Sequence, residues 1–277
     1  MQGRDGNKER ERPELITGSS NNTIKYVRSL QNKKYRDLHL RFIAEGQKMV
    51  EEALKSDFAL DMLIFSEAWS DHPLAVQALE SGIRCIIVKE KLFKSLSDTQ
   101  SPQGVLAVAG QKEYDFQKAL KQNPGFLVIL DGIKDPGNLG TIIRTIDAAG
   151  GDGVVLINDC VDPYNPKAVR ATMGSVFRVP IYREGRSSEL LEKTAEAGFH
   201  IAASDLCGED VFAWKGGCGR IALIIGSESH GISREVKSYA HSLVKIPMKG
   251  GAESLNASVA AGILIYEIFR KGRKMDG

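Results

Sequence analysis

The chain has 277 residues, 42% of them hydrophobic and 26% charged, a balance that provides a core and excludes collagen-like, disordered and disulfide-scaffold classes for most of its length. At roughly 100–200 residues per domain, two domains are expected. Thirty-seven basic against 35 acidic residues leave a net charge of +2, which excludes a uniformly basic nucleic-acid coat.

Residues 1–20 are polar and charged with few apolar side chains, and read as a disordered N terminus without a signal-peptide core. From 21 to 112 the pattern predicts a small α/β domain with a mostly parallel sheet. Its helices are expected near 24–31 and 47–56, and its strands at 40–46, 61–66, 84–89 and 104–110. Seven basic residues, Lys25, Arg28, Lys33, Lys34, Arg36, Arg41 and Lys48, crowd its first part beside only Asp37 and Glu45, giving +5 locally and leaving −3 for the rest of the chain. Such a segment is either a phosphate-facing surface or a solvated helix face. Tyr26, Tyr35 and His39 lie among these charges, where they could stack on unpaired bases.

Residues 113–125 are polar, end in Asn-Pro-Gly, and read as a linker. A second α/β domain is expected over 126–277, with strands at 126–133, 153–158, 200–205, 220–228 and 243–248 and helices near 138–149, 166–173, 187–198, 233–240 and 254–270. Strands this apolar are buried on both faces, as in a parallel sheet covered by helices. The purest apolar runs are strand-length, so no membrane span is predicted, and a cytoplasmic protein is expected. Cys85, Cys160, Cys207 and Cys218 are far apart and form no C-x-x-C pair, so neither a metal site nor a disulfide framework is expected.

Ligands of parallel sheets bind beyond the carboxyl ends of the strands, which directs the search to three loops. In DGIKDPGNLGTIIR (131–144), Asn138 reads as a helix N-cap. At about 100° per residue, Arg144 points away from the apolar face made by Leu139, Ile142, Ile143 and Ile146, so it faces water, a substrate or another subunit. In GSESHGIS (226–233), glycines at both ends let backbone N–H groups approach a ligand, and Glu228 sits at a strand end without an evident cation. In IPMKGGAESLNASVA (246–260), Ser254 reads as an N-cap and Asn256 has no evident structural duty. No G-x-G-x-x-G, no G-x-x-x-x-G-K-[ST] and no G-x-S-x-G occurs at these loops.

Taken in order, N-x-G-x-[IL]-x-R at 138–144, IIGSESHGIS at 224–233 and IPM followed by ESLN at 246–256 resemble the motifs of the SpoU/TrmH family of SPOUT-class RNA 2′-O-ribose methyltransferases. The stretch RATMGSVFRVPI (170–181) is similar to the family's linking segment, and NNTIKYVRSL, RFIAEGQKMVEEAL and DTQSPQGVLAVAG resemble its substrate-binding domain. The resemblance implies an α/β SPOUT domain with a C-terminal trefoil knot, an exception to the rule against knots. It implies S-adenosylmethionine as cofactor, surrounded by Gly226, Ile246, Met248 and Leu255, and a homodimer whose active site borrows from both subunits. Asn138, Arg144, Glu228, Ser254 and Asn256 match its polar catalytic set. Ser229 and His230 stand where smaller residues are common, and Ala257 where valine is common.

Methyl transfer to a ribose hydroxyl needs an oxygen aligned in line with the methyl group and help in removing that oxygen's proton. A guanidinium that stays protonated stabilises the developing alkoxide, which favours Arg144 as electrostatic activator rather than base. The two-domain layout resembles the ribosomal-RNA branch of the family. The alternatives are a tRNA 2′-O-methyltransferase and an inactive RNA-binding protein of the same fold. A nicotinamide oxidoreductase would lack its glycine fingerprint.

Overall fold

The computed structural model describes residues 13–122, 125–184, 187–216, 219–228 and 230–273. Residues 1–12, Cys218 and Ser229 lie outside the described residues. The chain divides into two compact units, Met1–Gln111 and Lys112–Gly277.

Unit 1 runs β1 (Glu14–Ile16), α1 (Asn22–Ser29), α2 (Lys33–His39), β2 (Arg41–Glu45), α3 (Gln47–Lys55), β3 (Leu60–Ser66), α4 (Pro73–Glu80), β4 (Arg84–Val88), α5 (Glu90–Lys94) and β5 (Val105–Gly110). The side chains of Asn21 and Asn32 cap α1 and α2 by accepting from the backbone N–H groups of Thr23 and Lys34. Ile24, Val27 and Leu30 then face a core shared with Ile64, Ile86 and Leu106. The strand order is β1-β4-β3-β5-β2. The β1/β4 and β3/β4 pairs are parallel, whereas β5 is antiparallel to both β3 and β2, so the expected mostly parallel sheet is in fact mixed. Every residue of β5 is buried, and an apolar run buried on both sides carries no mark of its direction. The N-terminal expectation is also corrected from Glu14 onward. Glu14–Ile16 pairs with Ile86–Val88, and Ile16 enters the core. Three residues are too few to register as a periodic pattern.

Unit 2 runs α6 (Phe116–Lys121), β6 (Phe126–Asp131), α7 (Pro136–Ala149), β7 (Gly153–Ile157), α8 (Pro166–Ala171), β8 (Ile181–Arg183), α9 (Ser187–Glu196), β9 (His200–Asp210), β10 (Ile221–Gly226), α10 (Arg234–Ser238), β11 (Ser242–Lys245) and α11 (Ala257–Arg273). The segment read as a linker contains α6, capped by the Asp115 carboxylate. Its Phe116 and Leu120, four residues apart, are buried in the same core as Leu127, Ile129 and Tyr182. The six strands order as β11-β9-β10-β6-β7-β8, and every neighbouring pair is parallel. Helix α7 packs on α8 at Gly140, where an added Cβ would lie 2.4 Å from the Ala168 carbonyl oxygen, so only glycine permits this crossing. Among the described residues, no helix is long and apolar enough to cross a membrane.

Candidate active site

At the carboxyl ends of β10 and β11, beside the middle of β9, lies a cavity of about 520 Å³. Gly226, Ile246, Met248 and Leu255, the four residues expected around a cofactor, all line it. Gly226 ends β10, and the chain folds straight back, with Ser227 and Gly231 exchanging backbone hydrogen bonds of 3.2 and 2.9 Å. A Cβ on Gly226 would come within 2.2–2.5 Å of the Gly231 and Ile232 backbone, and Gly231 itself takes a positive φ of 63°. The loop therefore presents main chain to the cavity, opposite an apolar wall that includes Met248, Leu255 and Leu264. Apolar walls with a few fixed polar groups, at this volume, suit a nucleoside-sized ligand.

Beside the cavity the polar residues form a chain. Asn138 donates through Nδ2 to the Glu228 carboxylate and accepts at Oδ1 from Asn256 Nδ2 at 3.0 Å. One amide thus joins three loops separated by 90 and 118 residues. The sequence reading of the caps is corrected here. Asp135, not Asn138, caps α7: its Oδ1 accepts from the Asn138 backbone N–H at 2.8 Å, with Pro136 in the first turn. That bond, together with Lys167, holds the Asp135 carboxyl below its ordinary range. Relieved of capping, the Asn138 side chain is available to the other two loops. Likewise Asn256, not Ser254, caps the last helix, accepting from the Ser258 N–H at 3.0 Å and the Ser258 hydroxyl at 2.6 Å. Ser254 lines the cavity instead.

Arg144 stands exposed on α7, is not among the residues lining the cavity, and makes no hydrogen bond or ion pair among the described residues. Within one chain the structure brings together Asn138, Glu228 and Asn256, but not Arg144.

The basic segment of unit 1 divides in the same way. Arg36 is 2% exposed and donates to the Leu30 and Gln31 carbonyl oxygens at 2.9 and 2.8 Å, so the expectation that it contacts RNA is corrected to a structural role. Arg41 is paired with Asp61 at 2.7 Å, Lys33 with Asp37, and Arg28 donates to Ser95 Oγ at 2.7 Å. Lys25 and Lys34 remain exposed and form no ion pair among the described residues. Tyr26 and Tyr35 pack against the His39 ring, at centroid distances of 5.1 and 6.4 Å.

Two carboxylates escaped the sequence reading. Asp131, at the end of β6, is 4% exposed and accepts from the Ser233 N–H and from Asn158 Nδ2, both at 2.8 Å. Asp205, on β9, lines the cavity and pairs with Lys237 at 2.7 Å. The only signal in the sequence was an acidic residue closing an otherwise apolar strand.

The profile of the SpoU rRNA Methylase family matches residues 125–266, and that of the MRM3-like substrate binding domain matches residues 21–107. The chain is 34% identical to the 23S rRNA (guanosine(2553)-2′-O)-methyltransferase RlmP of Bacillus subtilis (strain 168), over 91% of this chain and 98% of that protein. The chain belongs to the SpoU rRNA methylase family. It is an S-adenosylmethionine-dependent RNA methyltransferase with an α/β catalytic domain of the SPOUT class. An AdoMet-bound rRNA methyltransferase from Sinorhizobium meliloti superposes with a TM-score of 0.84 at 34% identity, covering 93% of this chain and 97% of that one. The SpoU methyltransferase AviRb from Streptomyces viridochromogenes, in complex with AdoMet, gives 0.81 at 27% identity, covering 93% and 99%.

Proposed function

We propose that this SpoU methylase methylates a ribose 2′-hydroxyl of large-subunit ribosomal RNA in the cytoplasm, as a homodimer. The observation that carries the reading is the Glu228–Asn138–Asn256 chain beside a cavity framed by Gly226, Ile246, Met248 and Leu255. The near-complete coverage of a 23S rRNA 2′-O-methyltransferase supports the substrate class.

When bound, S-adenosylmethionine supplies a methyl group already activated on a sulfonium centre. Main-chain groups around Gly226 and the side chains of Ile246, Met248 and Leu255 hold it and exclude water. Asn138, fixed between Glu228 and Asn256, orients the loops on which the ribose rests, with Ser254 at the cavity wall. Arg144 stabilises the developing alkoxide. Since it is exposed and has no partner among the described residues of its own chain, it acts in the partner subunit's site, across an interface built from α7 and α11. The C-terminal trefoil knot that the family resemblance implies belongs to this same domain. Lys25 and Lys34, with Arg28 beside Ser95, contact phosphates from the substrate-binding domain.

Mapping 2′-O-methyl positions on ribosomal RNA incubated with the enzyme and cofactor tests the substrate. Methylation confined to tRNA, or absent altogether, would overturn the reading. Arg144→Ala should bind S-adenosylhomocysteine normally and slow single-turnover methylation by about 10²–10³. Arg144→Lys should recover little of this, because a point charge lacks the planar fork. Loss of cofactor binding in either variant would make Arg144 structural.

A further inference from the structure

The cofactor cavity is opened by an interruption in the sheet. Strand β11 pairs with β9 at Ser242↔Ala202 and Leu243↔Ala203, and then resumes at Val244↔Glu209, so residues 204–208 bulge out of the ladder. Gly208 ends the bulge. A Cβ there would lie 2.6 Å from the Leu243–Val244 backbone, so only glycine lets the strand return to its partner. Bulges commonly re-aim side chains toward a site, and this one presents Asp205 and Cys207 to the cavity. It is a built feature: Asp205 Oδ1 accepts from the Cys207 N–H at 2.8 Å, and Oδ2 accepts from Lys237 Nζ of α10 at 2.7 Å.

These bonds, with a third from the Cys207 side chain, leave part of the carboxylate unused, since an ionised carboxylate offers about four acceptor positions. Burial pushes the Asp205 carboxyl up, but the Lys237 ammonium and the Cys207 N–H outweigh it and hold it below the ordinary carboxylate range. Its neighbour Lys237 is already committed to it. A fixed acceptor-only group on a bulge within a parallel strand, in a cavity that takes a nucleoside, is chemically matched to vicinal hydroxyls.

We propose that Asp205 recognises the ribose hydroxyls of the cofactor, and that Lys237 holds its carboxylate in place for that contact. The inference rests on the assignment of this cavity to S-adenosylmethionine. Calorimetric titration of the full-length protein with S-adenosylhomocysteine and with its 2′-deoxyribose analogue tests it. The unaltered protein should prefer the ribose form by about tenfold or more, the loss expected for one hydrogen bond to a charged group. Asp205→Ala should weaken the ribose form about 10- to 100-fold and the deoxy analogue far less, so that the preference disappears. Lys237→Met should reduce the same preference while leaving binding of the analogue nearly unchanged. Thermal melts confirm that each variant is folded, and Asp205→Asn, which keeps the side chain's size, should retain part of the preference if the alanine variant is unstable. A preference that survives in Asp205→Ala, or equal weakening of both ligands, would overturn the proposal. Failure of the unaltered protein to bind S-adenosylhomocysteine at all would instead overturn the assignment of the cavity, and this inference with it.

Discussion

Asp131 shows how much one buried acceptor can organise. Its carboxylate ties the start of α10, through the Ser233 N–H, and the loop after β7, through Asn158, to the end of β6. In register it lies beside Gly226, where the loop carrying Glu228 begins. Asp131→Ala leaves two donors without an acceptor, and each unsatisfied group costs about 1–3 kcal/mol. Denaturant unfolding should therefore show a loss well above the ~1 kcal/mol typical of a surface cap such as Asp135 in an Asp135→Ala control. Equal losses in the two variants would mean that Asp131 acts only as local polar filling. Asp131→Asn should fall between, because an amide accepts from one donor but opposes its own NH₂ to the other.

At the scale of elements, the basic helices of unit 1 separate charge that supports the fold from charge that stays exposed. Arg36 satisfies the carbonyl oxygens where α1 ends, so Arg36→Ala should lower the melting temperature. Lys25→Ala and Lys34→Ala should leave stability unchanged. If each contacts a phosphate, each should reduce the slope of log affinity against log salt by roughly 0.7–0.9. A slope unaffected by either lysine would remove this face from the RNA surface.

The amino end of β9 makes a separate prediction about pH. His200 is half-buried, shares a hydrogen bond of 2.9 Å with Ser242 Oγ, and lies 5.4 Å from the His241 ring. Burial, with His241 next, holds it below its ordinary 6.5. The unfolded chain then takes up this proton at a higher pH than the folded one. The stability contributed by neutral His200 is present above about pH 6.5 and is lost as the pH falls toward its folded value. The melting temperature should drop between pH 7 and 5, and His200→Gln should flatten that part of the profile. An unchanged profile in the variant would assign the acid sensitivity elsewhere.

For the molecule as a whole, the decisive expectation is the dimer. Helix α7 exposes Thr141, Arg144 and Ala148, and α11, packed against it, exposes Val259 and Tyr266, seven residues apart on one face. Tyr266→Asp should shift the protein toward monomer in sedimentation at micromolar concentration and abolish methylation, since Arg144 would lose its site. Mixing inactive Arg144→Ala and Asn138→Ala subunits offers a sharper check. If Arg144 works across the interface, mixed dimers have one intact site, and random exchange should restore about a quarter of normal activity. No recovery after confirmed exchange would place Arg144 in its own subunit's site.

The alternation of apolar strands and amphipathic helices in unit 2, the three loops at the strand ends and the glycine at 226 could all be read from the sequence, because each is fixed by local periodicity or turn chemistry. The Gly226, Ile246, Met248 and Leu255 set came instead from the family resemblance that the same loops carry, and the cavity gathers all four. Other features required the folded chain. The direction of β5 is set by its neighbours, since a strand buried on both faces looks alike either way. Asp135 took the cap that Asn138 could equally have made, and this released the Asn138 amide to join Glu228 and Asn256. Arg36 and Arg28 sit in one basic run, yet one is buried against carbonyl oxygens and the other is partly exposed. Asp131 found its partner 102 residues away, and Asp205 was turned into the cavity by a bulge. Periodicity records which face a side chain occupies. Which groups meet across that face depends on distances that only tertiary packing creates, and there the choice among equivalent polar residues is made by which of them a partner can reach.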